Sequence, residues 1–396
     1  MVSPLLMERL PPMRIAMMLE SDGPGGAEVV VLHLAEELRR RGHTIIPVGP
    51  RQGVGWLGAR FRALGFEPET FRISRPIDPD CVRSLTEIFR ARAVDLVHSH
   101  EFTMGVYGTA AARLLRLPHV ISWHGSSTMC KRFRRRVAVR WAMRRSHASV
   151  AVSEATRAQL ARDLGVPESM MTVVHNGVPV RGGDPEAVRR ELSIQPRDVV
   201  VLAVGNLDVR KGHMLLLRAL QELTDEGIDV PWRLVIAGGR GGDQRELLIE
   251  HARAHGLSDR VHILSQREDI PDLLAASAIF AMPSLWEGLP MAMLEAMVAG
   301  RAIVASATGG IPEAIVDGEQ GLLIQPGRVP SLKEALRRMF LDVPARERMA
   351  AAARTRGHER FTLSVMGDSY ERVYAGALRA ATGHSPAKGT LATASR

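Results

Sequence analysis

The chain has 396 residues, of which 45% are apolar, 24% charged and 4% aromatic, and its formal net charge is +9. This length exceeds what one core usually holds, so we expect two domains, and the composition excludes a globally disordered chain. No stretch approaches the roughly 20 apolar residues of a membrane-spanning helix, and residues 1–13 lack the features of a signal peptide. We therefore expect a cytoplasmic protein. Cys81 and Cys130, the only cysteines, indicate neither a disulfide framework nor a zinc site.

The first half alternates short apolar segments with helical ones. The predicted strands are RIAMML, HTIIPVGP, VDLVHSH, HVISWHG, SVAVS and MTVVHNG, and the turn ESDGPGG leads into the helix AEVVVLHLAEELRRRG. This alternation is typical of a doubly wound parallel sheet. Asp78 is placed as the N-cap of a further helix that begins at Pro79. Residues 1–12 are expected to be disordered.

A strongly basic segment follows, because no acidic residue occurs between Lys131 and Arg145. On a helix, Phe133, Val137 and Trp141 fall on one stripe. Anionic lipid attracts such a segment, so contact with a membrane surface is one interpretation. A stripe that faces the protein's own core is nearly as good an explanation, and nucleic-acid binding ranks third. The candidate membrane residues are Lys131, Arg132, Arg134, Arg135, Arg136 and Arg140.

The second half repeats the plan. Its predicted strands are DVVVLAVGN, RLVIAGG, VHILSQ, IFAMPS, AIVAS and LLIQPG. Gly, Pro and charged residues cluster after HNG, which places the domain boundary near Val178. Helices are expected from Pro330 to Arg356 and over 363–380, and the small, polar tail 381–396 is predicted to be disordered.

Glu287 and Glu295 lie eight residues apart in SLWEGLPMAMLEAMVAG. Pro290 indicates a helix that begins near Leu289 and ends at Gly300, so Glu287 lies in a loop and Glu295 in the helix. The N–H groups at the helix start point toward Gly288 and favour an anion. Two carboxylates that flank a phosphate site fit a nucleotide sugar, although an arbitrary pair of glutamates is more often a solvated loop residue and a surface helix residue.

Other candidates also follow strands, where parallel sheets bind nucleotides. Gly25 and Gly26 would let the backbone approach a phosphate or sugar, although a tight turn without a ligand explains them equally well. Asn206, Arg210 and Lys211 follow a strand, and adjacent cations suit a diphosphate. His98 and His100 project to the same side of a strand end, where we expect a structural or acceptor-side role rather than a metal site.

Together these strings resemble the family 4 glycosyltransferases, enzymes with the GT-B fold. The similarity covers some three hundred residues in order: GPGGAE, VHSHEF, SWHG, AVSEATRAQL, HNGV, VGNLDVRKGH, PSLWEGLPMAMLEAMVAGRAIVAS and ATGGIPEAIVDGEQGLLIQPG. The resemblance implies two Rossmann-like domains that face a central cleft. Residues 13–178, completed by helix 363–380, would form the acceptor-side domain, and residues 179–362 the nucleotide-sugar domain.

The resemblance also implies retaining transfer of a hexosyl group from a nucleoside diphosphate sugar to a glycan, lipid-linked or small-molecule acceptor. No cofactor or metal is expected. His124, Glu287 and Lys211 would be catalytic. The donor would contact Gly25, Gly26, Asn206, Arg210, Lys211, Gly288, Leu289 and Glu295, and the acceptor Glu28, His98 and His100. Asn206 stands where the family commonly has arginine. The resemblance therefore does not fix how many positive charges neutralise the leaving group.

Two rival functions remain at this point. A GT-B sugar-nucleotide epimerase would release free product and would need no acceptor. A non-catalytic protein would use the basic segment to bind a polyanion such as nucleic acid, with a steep dependence on salt.

Overall fold

The computed structural model describes residues 10–20, 23, 25–51, 55–75, 77–125, 132–239 and 243–382. These residues form two compact units. Unit 1 contains the described residues up to Ala151, then Arg157–Val174 and the described residues from Gly367 on, and unit 2 contains Val152–Thr156 and His175–Met366.

Unit 1 is built on a seven-stranded sheet in which each strand is parallel to its neighbours. The strands are β1 Arg14–Met18, β2 Thr44–Pro50, β3 Glu69–Phe71, β4 Leu96–His100, β5 His119–Trp123, β6 Ala148–Ala151 and β7 Thr172–Val173, in the order β3-β2-β1-β4-β5-β6-β7. Every residue of β4 and β5 is buried, as expected for a parallel sheet that is covered on both faces.

The first six helices are α1 Gly26–Arg40, α2 Gly55–Ala63, α3 Pro79–Ala91, α4 Glu101–Leu115, α5 Phe133–Arg145 and α6 Glu154–Leu164. In α1 the buried Val30, Val31, Leu34 and Leu38 recur at helical spacing, so the apolar stripe of the sequence covers the sheet. The predicted cap of α3 is confirmed, since the Asp78 carboxylate accepts a hydrogen bond from the backbone N–H of Asp80.

Unit 2 contains a six-stranded sheet that is again parallel throughout. Its strands are β8 Val199–Val204, β9 Trp232–Ala237, β10 Val261–Leu264, β11 Ile279–Met282, β12 Ala302–Ser306 and β13 Gly321–Ile324, in the order β10-β9-β8-β11-β12-β13. Its helices are α7 Pro185–Glu191, α8 His213–Asp225, α9 Gln244–Ala254, α10 Ile270–Ala276, α11 Met291–Val298, α12 Ile311–Ala314, α13 Val329–Leu341 and α14 Val343–Arg360. The prediction of two Rossmann-like domains is confirmed.

The final helix, α15 Leu363–Ala381, packs into unit 1 from Gly367 onward. Tyr370 and Tyr374 are fully buried there. The Arg41 guanidinium binds Asp368 at 2.6 Å and Glu371 at 2.7 Å, so charges from the first and last helices hold this end of the chain. None of the described helices has the length and apolarity needed to cross a membrane.

Candidate functional site

In both sheets the strand order reverses at one position, which is where open parallel sheets bind ligands. In unit 2 the reversal lies between β8 and β11. The loop after β8 carries Asn206, Arg210 and Lys211, and the loop after β11 carries Glu287. The sheet therefore brings together Lys211 and Glu287, which are 76 residues apart in the sequence.

Lys211 and Glu287 form the centre of this group. The Lys211 Nζ donates to the Glu287 Oε1 at 2.6 Å, and the side chains retain 25% and 10% of their accessible surface. The loops are also joined through the backbone, because the N–H of Leu285 donates to the carbonyl of Arg210 at 2.7 Å. A cation and a carboxylate are thus held side by side at the switch point.

Helix α11 begins two residues later than predicted. Pro290 is its N-cap, with φ −75° and ψ 122°, and the helix ends at Val298 rather than Gly300. Proline favours this φ just before a helix as well as in its first turn, so the sequence pattern did not distinguish the two positions. The first N–H groups, from Met291 on, have no partner within the helix, and only Pro290 separates Met291 from Leu289.

Glu295 lies in the second turn of α11 and is half-buried. Burial raises the pKa of its carboxyl to about 7, and the charge of Arg181 opposes this shift. This raised pKa distinguishes Glu295 from a fully solvated surface glutamate. A carboxyl that is partly removed from water needs hydroxyl or N–H donors to be stable as an anion, and a ribose could supply the hydroxyls.

The remaining donor candidates after β8 are exposed. Asn206 is exposed, and its carbonyl faces the His213 ring at 3.2 Å. Arg210 is held by Asp208 at 2.9 Å. A diphosphate that uses Arg210 would have to compete with this carboxylate, whereas Lys211 already points at the switch point.

Two glycines that the sequence analysis did not single out fix the position of Glu287. A Cβ on Gly309 would lie 1.7 Å from the Glu287 carbonyl oxygen, and Gly309 has a positive φ of 54°. The N–H of Gly310 donates to the carbonyl of Gly288 at 2.7 Å. The doublet in ATGGIP was visible in the sequence, but only the fold shows which backbone it touches.

In unit 1 the strand order reverses between β1 and β4. Gly25 is the N-cap of α1, and Gly26 is its first residue. A Cβ on Gly25 would lie 2.4 Å from Glu28 Oε2, whereas one on Gly26 would meet open space. The Glu28 carboxylate therefore lies over the glycine turn.

His98 and His100 project to the same side of β4, as predicted, with ring centroids 4.1 Å apart. His98 Nδ1 lies 2.8 Å from the Tyr374 hydroxyl, and its Nε2 lies 2.8 Å from the Ser122 Oγ. Both ring nitrogens are occupied inside unit 1. This geometry gives His98 a structural role and leaves no ring nitrogen for an acceptor.

His100 and His124 form a second pair, with His100 Nδ1 and His124 Nε2 3.0 Å apart. Burial lowers the pKa of His124 to about 4 and that of His100 well below its usual value. Both rings are therefore neutral at pH 7. His124 can act as a hydrogen-bonding group through Nδ1, which is buried and has no partner among the described residues.

Glu101, which the sequence analysis passed over within VHSHEF, completes this cluster. Its Oε1 accepts a hydrogen bond from the backbone N–H of His124 at 2.8 Å. Its backbone is in the left-handed region, with φ 65°, which is uncommon outside glycine and frequent at functional sites. Burial and the charge of Glu28 raise the pKa of Glu101 to about 7. The only signal for Glu101 in the sequence was its position directly after a predicted strand.

The described part of the basic segment is helix α5, and Lys131 lies outside the described residues. Arg132, Arg134, Arg135 and Arg136 are exposed, and Arg140 is half-buried. The guanidinium of Arg135 stacks over Phe102 at 5.4 Å. Across the described ranges, no three His, Cys, Asp or Glu side chains are grouped as metal ligands would be.

Comparison with known proteins identifies the family. The model "Glycosyl transferases group 1" matches residues 184–356, and "Glycosyltransferase Family 4" matches residues 24–181. An alpha-D-kanosaminyltransferase from Streptomyces kanamyceticus is 30% identical over 302 residues, which cover 70% of this chain and 76% of the relative. A D-inositol 3-phosphate glycosyltransferase from Corynebacterium diphtheriae is 27% identical over 405 residues, 91% of this chain and 94% of the relative.

Solved structures share the fold. The Anabaena protein HepE, crystallised with UDP, superposes with a TM-score of 0.80 at 23% identity over 92% of this chain and 100% of its own. The two parallel sheets and this solved structure indicate the same fold, and the sequence relatives indicate the family. The chain belongs to the family 4, or group 1, glycosyltransferases and has their two-domain GT-B fold.

Proposed function

We propose that this glycosyltransferase moves a hexosyl group from a nucleoside diphosphate sugar to a hydroxyl of a glycan, lipid-linked or small-molecule acceptor. The contact between Lys211 and Glu287, directly before α11, carries the proposal. A diphosphate needs a cation and N–H donors, and sugar hydroxyls need a carboxylate. These groups occur within one loop system of unit 2, and the two relatives named above are also transferases of sugars.

In the proposed reaction, Lys211 and the first N–H groups of α11 stabilise the departing diphosphate. Charge that is fixed in place before the reaction stabilises such a leaving group without reorganisation. Glu287 binds hydroxyls of the transferred sugar, and Glu295 binds those of the ribose. On donor binding, Lys211 exchanges part of its contact with Glu287 for phosphate oxygens, and the carboxylate becomes available to the sugar.

We further propose that the anomeric configuration is retained through front-face substitution. No carboxylate in the sequence stands out as a covalent nucleophile, so the acceptor hydroxyl would attack on the face from which the diphosphate leaves. Proton NMR of the purified glycoside tests retention, because the new glycosidic bond keeps the anomeric configuration in which it forms. An anomeric coupling opposite to that of the donor would contradict it.

The first test is a thermal-shift panel with UDP, GDP and ADP and their hexose conjugates. A ligand that binds only the native state raises the melting temperature, so one nucleotide series should stabilise the protein. Incubation of that donor with candidate acceptors should then give a glycosylated product. Release of free, epimerised sugar nucleotide without any acceptor would favour the epimerase instead.

The catalytic assignment is tested by Lys211→Met and Glu287→Gln. Each change should lower kcat/KM by about a hundredfold to a thousandfold, the usual effect of removing one group that stabilises developing charge. Lys333→Met is the matched control, because Lys333 forms an exposed ion pair with Glu226 at 2.7 Å in the same unit. Circular dichroism checks the fold. Activity near wild type in both site variants would refute the assignment.

A further inference from the structure

Helix α5 exposes a row of large apolar side chains to solvent. Phe133 retains 77% of its accessible surface, Val137 50% and Trp141 38%. Their spacing of four residues places them one above another on the same face. Contiguous apolar surface of this kind marks an interaction site more often than isolated exposed residues do.

The opposite face of the same helix is packed into unit 1. Val139, Ala142 and Met143 are buried in the core next to β5 and β6. The helix is therefore fixed with the row of Phe133, Val137 and Trp141 outward. The interpretation in which this stripe faces the protein's own core is wrong.

Arginines surround the exposed row. At 3.6 residues per turn, Arg136 and Arg140 lie along one side of the row, and Arg134 and Arg145 lie along the other. A concavity of about 300 Å³ lies at the end of the row, lined by Val137, Arg140, Trp141, Arg144 and Arg145. The helix contains no acidic residue, so this face combines an apolar centre with a cationic rim.

We propose that this face of α5 docks the protein onto an anionic lipid surface. The arginines would contact lipid headgroups, and Phe133, Val137 and Trp141 would enter the boundary between headgroups and acyl chains. Nucleic acid would satisfy the arginines through its phosphates, but it would leave the apolar row in water. A bilayer complements both features, whichever reaction the protein catalyses.

Vesicle sedimentation with the full chain tests the proposal. The wild-type protein should bind phosphatidylcholine vesicles that contain 30% phosphatidylglycerol at least about tenfold more strongly than pure phosphatidylcholine vesicles, as expected for several arginines near a charged surface. Equal binding to both compositions, or no binding to either, would overturn the proposal.

Two pairs of variants separate the apolar and cationic contributions. Phe133→Ser with Trp141→Ser should weaken binding at least about tenfold through lost apolar contact, whereas Ile77→Ser, at a residue 85% exposed elsewhere in unit 1, should not. Arg136→Gln with Arg140→Gln should weaken binding about thirtyfold. Arg62→Gln with Arg90→Gln removes the same charge from exposed positions elsewhere in unit 1 and should have a much smaller effect.

Fluorescence locates the contact. Phosphatidylcholine with brominated acyl chains, mixed with phosphatidylglycerol, should quench the protein on binding, and Trp141→Phe should remove most of that quenching while binding persists. Quenching that is unchanged in Trp141→Phe would overturn the proposal. The proposal would also be overturned if the protein bound RNA through Arg136 and Arg140 while the Phe133 and Trp141 changes left vesicle binding unaffected. Unchanged melting temperatures confirm that the variants are folded.

Discussion

Glu101 combines three features that are each uncommon. Its backbone has a positive φ of 65°, its carboxyl is buried beside the charge of Glu28, and its pKa is raised to about 7. The only hydrogen bond assigned to its side chain among the described residues comes from the backbone N–H of His124. Backbone strain and a buried carboxyl both cost stability. Glu101 has both, which points to a functional role for this residue.

Glu101→Gln should make stability less dependent on pH. The folded protein favours the protonated acid, so the carboxyl has no ionisation penalty below about pH 4.5, and it destabilises unit 1 by a growing amount as the pH rises from about 4.5 to about 7. Glutamine does not ionise and can still accept from His124. We expect the unfolding free energy of the variant to exceed that of wild type by less than about 1 kcal/mol at pH 5 and by up to about 3 kcal/mol at pH 8.

Urea unfolding at the two pH values measures this difference, and Glu67→Gln at an exposed position is the control. The same offset at pH 5 and pH 8 would show that the carboxyl is not held protonated.

At this scale the sequence identified candidates within single loops and single strand ends. Lys211, Glu287 and Glu295 could be proposed because cations, carboxylates and a helix start have known ligand chemistry. The 2.6 Å contact between Lys211 and Glu287 could not, because it depends on β8 lying beside β11. Glu101 was also missed, because the groups around its carboxyl, Glu28 on α1 and the N–H of His124 after β5, come from distant parts of the sequence.

At the scale of elements, the loop between β11 and α11 is held at several points. Leu285 is bonded to Arg210 at 2.7 Å, Gly288 to Gly310 at 2.7 Å, and the carbonyl of Leu289 to the Asn176 side chain at 3.0 Å. Glu287 adds its own contact with Lys211. The loop is therefore arranged before any ligand binds, which reduces the entropy lost on binding.

Gly309→Ala should disturb this loop severely. The new Cβ would lie 1.7 Å from the Glu287 carbonyl oxygen, so the backbone of Glu287 must move. A misplacement of about 1 Å can lower a rate about a hundredfold, and we expect at least that loss in kcat/KM.

Gly318→Ala is the matched control for this change. Gly318 has a positive φ of 79°, and nothing lies within 4 Å of the position of its Cβ. Both variants pay the penalty of about 1 kcal/mol for an L-residue at positive φ, but only Gly309→Ala meets the loop. Equal activities would show that conformational strain, not contact with Glu287, explains the effect.

Most elements were predictable because their signal is local. Apolar runs after turns gave the buried strands, and helical spacing gave α1 and α11. The three-residue β3 was missed because so short a strand carries little pattern. The helices predicted from Pro330 to Arg356 are confirmed as α13 and α14, with Asp342 between them.

At the scale of the whole molecule, α15 contributes side chains that unit 1 cannot replace. Tyr374 and Tyr370 bond to His98 and Ser122 across 276 and 248 residues of sequence. Arg41 contacts carboxylates on both α1 and α15. No periodicity within 363–380 indicates which sheet this helix covers, so its place was expected from family resemblance rather than from the pattern.

Ending the chain after Met366 should unfold unit 1 and leave unit 2 folded. The truncation exposes His98 and Ser122, removes two buried tyrosines worth about 2 kcal/mol or more each, and leaves Arg41 and Glu37 with fewer partners. Against a typical domain stability of about 5–15 kcal/mol, these losses are decisive.

Calorimetry and near-UV circular dichroism should show that part of the cooperative transition is lost. A chain that ends after Thr382 keeps all described residues of α15 and is the control. Full retention of tertiary signal after Met366 would contradict the prediction.

The route of α15 also has a consequence for synthesis on the ribosome. About two hundred residues separate Ala151 from Gly367, and translation at roughly 5–20 residues per second needs on the order of tens of seconds to cover them. During that time β1, β4 and β5 have been made without the tyrosines that complete them. The domain that is translated first is therefore finished last, and the surface of unit 1 that Tyr370 and Tyr374 cover stays open until the last helix is made.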